Sequence, residues 1–132
     1  MKYYFILVLI LASLSTTAQL SESALIGKWK VSEVVLTAED PGTRQLYQGF
    51  KDALFVFSAD HHLQFSSPST SRTFGLIATK LATNDWVLEG KNLRIGSKAD
   101  HFQTMQITID SSGGNTFFVL EGTPVRLRMV KQ

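Results

Sequence analysis

The residues in this chain best suited to chemistry are histidines beside aspartates, in Asp60-His61-His62 and Asp100-His101. Imidazole nitrogens and carboxylates serve as metal ligands and as acid–base partners. A site built from them needs two separate turns to meet, because adjacent histidines on a strand project to opposite faces. Serine is also present, but no Gly-x-Ser-x-Gly elbow and no spaced carboxylate pair accompanies it. Gly113-Gly114 is followed by no helical pattern and reads as a hairpin turn, not as a phosphate cradle. The chain has no cysteine, which excludes disulfides, a thiolate nucleophile, cysteine-ligated metal and a lipid-modified N-terminal cysteine. The expectation is a protein without catalytic residues, resident metal or cofactor, whose histidines are solvated turn residues.

What these turns connect is a succession of short alternating runs. Gly27-Lys28-Trp29-Lys30-Val31 places Trp29 and Val31 on one face and the lysines on the other, the period of a half-buried strand. Continuing that period would bring Glu33 inward, so a bulge near Ser32-Glu33 is expected to turn Glu33 out and Val34 and Leu36 in. Leu54-Phe55-Val56-Phe57 and His62-Leu63-Gln64-Phe65 flank the turn Ser58-Ala59-Asp60-His61 as a hairpin. Residues 73–79 are read as a strand bent at Gly75. A second hairpin joins 84–88 to 92–95, with Trp86 and Leu88 facing Leu93 and Ile95. A third joins 102–109 to 116–121 across 110–115, and Val125, Leu127 and Met129 alternate with Arg126 and Arg128 in a closing strand. The long segment 37–53 interrupts this rhythm. After the turn Asp40-Pro41-Gly42, its Leu46, Tyr47 and Phe50 fall on one side of a short helical turn, suited either to a lid over a barrel mouth or to a permanent plug.

About eight or nine strands with turns at roughly ten-residue spacing indicate an all-β protein, an up-and-down barrel or a sandwich. The barrel is preferred. Short connections make sequence neighbours spatial neighbours, and closure of the first strand on the last removes edges that a phenylalanine-rich sheet would otherwise expose. At 132 residues, 44% hydrophobic and 18% charged, the chain suits one folded domain. Lys2, the apolar run 3–14 and the small residues Ser15 to Ala18 have the form of a cleavable export signal, too short to span a bilayer. Residues 1–18 are therefore set apart from a domain at 19–132, expected to be periplasmic or secreted and monomeric, with no membrane span after cleavage. The formal charge of +2 is dispersed along the chain, which is no nucleic-acid footprint.

The opening Gly27-x-Trp29 strand resembles that of the lipocalin superfamily, particularly the small secreted lipocalin-like domains of bacteria. The Phe55-to-Phe65 hairpin, the Trp86-Val87-Leu88-Glu89-Gly90-Lys91-Asn92-Leu93 hairpin and the closing strand are similar to their counterparts there, with Ser58 and His61 replacing the turn's usual Asn and Gly. The resemblance implies a structural Gly27 and Trp29 at the narrow end of an antiparallel meander barrel, with Arg126 or Arg128 lying across the indole. It also implies a hydrophobic or amphipathic small-molecule ligand, lined here by Phe55, Phe57, Phe65, Phe74, Trp86 and Leu88. Phe117 and Phe118 cannot both join them, since neighbours on a strand face opposite ways. The alternatives are a filled barrel serving as a structural or protein-interaction module and, less favoured, a barrel enzyme.

Overall fold

The computed structural model describes residues 20–37 and 40–132, and the expected leader at 1–18 lies outside them. Eight antiparallel strands close in sequence order: β1 (Gly27–Leu36), β2 (Leu54–Phe57), β3 (His62–Ser66), β4 (Thr83–Glu89), β5 (Asn92–Gly96), β6 (Met105–Ser112), β7 (Asn115–Leu120) and β8 (Val125–Lys131). The helical pieces are α1 (Glu22–Leu25), α2 (Pro41–Tyr47) with a 3₁₀ turn at Gln48–Phe50, and α3 (Arg72–Ala82). Because strand direction alternates, α2 and α3, in the β1–β2 and β3–β4 connections, sit at one end. The β2–β3, β4–β5 and β6–β7 turns and α1 sit at the other, while the β5–β6 loop and the short β7–β8 turn share the helical end.

Closure depends on a bend in β1. Its first residues pair with β2, Trp29 opposite Phe55, while its length also runs along β8. The register on β8 shifts between Val31 and Glu33, from Val31 opposite Met129 to Glu33 opposite Arg128. The unpaired Ser32 uses its hydroxyl instead, donating to the Arg128 carbonyl at 3.2 Å. This is the expected bulge. Glu33 is exposed, and Val34 and Leu36 pack against the core.

Two expected elements differ. The run 73–79 is not a strand but part of α3, whose Phe74, Ile77, Ala78 and Leu81 repeat at the spacing of a helix face and pack on the core. The Ser71 hydroxyl caps it by accepting from the Phe74 amide at 3.2 Å. The strand expected at 102–109 begins only at Met105. The chain before it folds around Asp100, which accepts from the amides of Ser97 at 2.8 Å and Phe102 at 3.0 Å and from the Thr104 hydroxyl at 2.7 Å. These bonds, the Thr104 hydroxyl foremost, hold the Asp100 carboxyl below its ordinary value. The third hairpin is tighter than expected, since Ser112 pairs with Asn115 and only Gly113 and Gly114, at φ 59° and 81°, make the turn.

Candidate functional site: the aromatic interior and its two ends

Strand alternation aims Phe55, Phe57, Phe65, Trp86 and Phe118 into the barrel, and their rings touch in sequence. Phe55 meets Phe65 edge-on at 4.9 Å and Phe118 at 5.7 Å, and Phe57 meets Trp86 edge-on at 5.6 Å. Such contacts add geometric preference to plain area burial. Phe55, Trp86 and Phe118 have no exposed surface, so no water-sized space adjoins them. No polar or charged side chain is buried among the described residues. Leu88 is half-buried against the same core, opposite Leu93. Phe117 faces out beneath Arg126, whose guanidinium lies 4.1 Å from its ring and bonds Asp110 at 2.8 Å.

At the helical end the interior continues without a break into the cap. Phe50 packs edge-on against Phe74 at 4.9 Å and reaches Phe65 at 5.9 Å, while Tyr47 stacks on Phe50. Phe74 thus joins the aromatic set from a helix, not from the strand expected. Gly49 is required by this contact, because a Cβ there would stand 2.2 Å from the Phe74 ring. Leu46 and Tyr47 are only half-buried, and Phe50 is fully buried.

The opposite end is closed by α1. Leu25 is fully buried, and its carbonyl accepts from the Trp29 indole N–H at 2.8 Å. Neither Arg126 nor Arg128 lies across Trp29. Arg126 engages Phe117 and Asp110, and Arg128 bonds Asn115. Both point outward because they alternate with the buried Val125, Leu127 and Met129. The cation over the indole is Lys131, at 5.7 Å, which also donates to the Ala24 carbonyl at 2.6 Å. The signal was present in the sequence: position 131 continues the inward series 125, 127, 129. Gly27, at φ 133°, sits against the Lys131 chain, where a Cβ would approach Cε to 3.1 Å.

His61 and His62 occupy the outer wall near this end, whereas His101, at φ 57°, lies in the β5–β6 connection at the helical end. His61, at φ 69° in the β2–β3 turn, lays its ring 4.6 Å from Trp86 and sets Nε2 2.6 Å from Glu22 of α1. His62 places Nδ1 2.6 Å from Asp85, beside a surface cleft of about 400 Å³ that Gln64, Asn84 and Ser97 also line. Its Nε2 is 3.8 Å from Asp60, beyond hydrogen-bond length. Among the described residues no three metal-ligating side chains converge. No family model, curated protein or solved structure matches the chain.

Proposed function

We propose that this protein is an exported, lipocalin-like barrel that binds a hydrophobic or amphipathic small molecule in its aromatic interior. The observation that supports the reading is the continuity of wall and cap: Phe50 and Phe74, on the helical segments, complete the same cluster as Phe55 and Phe65. A ligand of matching chemistry takes the place of those two rings, exchanging one set of apolar contacts for another. Entry is at the helical end, where moving the cap breaks few sheet hydrogen bonds, whereas entry through the wall would break a strand ladder. Leu46 and Tyr47, already half-buried, ride with the cap.

A second reading has its own support. The interior aromatics fill their own space, as expected of a small barrel that serves as a structural or interaction module. Native mass spectrometry of protein purified without denaturation separates the two. A co-purified mass that organic solvent releases as an apolar molecule fits the binding barrel. A homogeneous ligand-free species that also takes up no added apolar probe fits the filled module.

A further inference from the structure

The two tryptophans differ in one respect. Trp29 spends its indole N–H on the Leu25 carbonyl at 2.8 Å. The Nε1 of Trp86 is buried and has no hydrogen-bond partner among the described residues, although the Trp86 backbone is bonded, its amide to the His61 carbonyl at 2.9 Å. Buried donors without acceptors are rare in native proteins. An indole whose N–H is left idle has no advantage over an aromatic ring without one. Trp86 has no exposed surface, so the ring as packed leaves no room for a lone water beside it.

We propose that Trp86 Nε1 is the polar anchor of the barrel's ligand, and that the ligand is a neutral amphiphile presenting an uncharged oxygen acceptor such as a ketone, ester or hydroxyl. This inference rests on the ligand-binding reading above. The indole donates and cannot accept, which demands an acceptor on the ligand. No cation lies buried in the described interior to neutralise a carboxylate. The nearest titratable ring, His61, has its Nε2 2.6 Å from the Glu22 carboxylate and is already engaged there, so it does not pair with a carboxylate on the ligand. A pure hydrocarbon would leave the N–H unsatisfied. Phe57 packs edge-on against Trp86 and neither ring leaves room beside it, so the ligand's carbon chain lies among Phe55, Phe65 and the cap and its oxygen reaches the indole N–H as the Phe57 ring swings aside.

The test uses three probes of equal chain length, 2-dodecanone, dodecanoate and dodecane, at a pH of about 8 where the acid is ionised. Binding is followed by the two indole ¹⁵N–H resonances of the wild-type protein and by competition with a fluorescent apolar probe. The ketone should bind and move the Trp86 indole resonance while leaving that of Trp29 in place. Dodecanoate should bind at least roughly tenfold more weakly, and Trp86→Phe should lower the ratio of ketone to dodecane affinity by about the same factor, one neutral hydrogen bond. Ketone saturation that leaves the Trp86 indole resonance unmoved, or dodecanoate binding as tightly as the ketone, overturns the anchor while the binding barrel stands. Failure of all three probes to bind overturns both. Because the resonances are read in the wild-type chain, the result does not depend on the variant folding.

Discussion

Trp29 holds the α1 end of the barrel together through several contacts at once: burial, the bond to Leu25, the tilted packing on Phe118 at 6.2 Å and the Lys131 ammonium above it. Trp29→Ala is expected to cost about 3 to 5 kcal/mol of stability, the range for emptying a large buried aromatic site, read as a lower midpoint in a denaturant titration. The cation is distinguished by a pair of variants. Lys131→Ala should change Trp29 fluorescence and lower stability by roughly 1 kcal/mol, the scale of an exposed cation–π contact. Arg128→Ala should leave that fluorescence unchanged, because its guanidinium bonds Asn115 on the outer wall. At the other end, Gly49→Ala should destabilise by about 1 to 3 kcal/mol through overpacking against Phe74, and its loss should be relieved in part by Phe74→Leu.

Among the elements, α3 and the Asp100 loop make separable expectations. Ser71→Ala removes the cap on the Phe74 amide and should cost about 1 kcal/mol, with exchange rising first at the start of α3. The Asp100 carboxyl titrates below its ordinary value of 3.8. Its bonds to the loop are therefore fully present above that value and are lost as pH falls through the depressed folded value. Asp100→Asn should flatten this part of the acid unfolding curve, and a variant whose acid limb matches wild type would remove Asp100 from the loop's support. The strands of this fold were legible because period-two alternation and turn residues agree along most of the chain, down to the bulge at Ser32. The helix α3 is not legible in the sequence, because Phe74 and Ile77 around Gly75 also fit a bent strand, and Ser71 closes a run of hydroxyl residues that itself has the composition of a loop. Trp86's missing partner could not be read at all, since it depends on what surrounds one atom in three dimensions.

For the whole molecule, the barrel wall and its helical cap share one apolar cluster, and ligand binding requires that the cap give way while the wall does not. Strands β1 and β8 close the cylinder along most of their length, which leaves the connections at 40–53 and 71–82 as the parts able to move without opening the sheet. A permanent plug and a displaceable cap contain the same residues and differ only in their response to ligand. Hydrogen exchange across 40–53 and 71–82, with and without saturating 2-dodecanone, tests this most directly. The result expected is faster exchange in these segments than in β1 and β8 without ligand, and a change confined to them and to the Trp86 strand on binding. Uniformly slow exchange throughout the cap that the probe does not alter would contradict the binding barrel and leave a cylinder filled permanently by its own side chains.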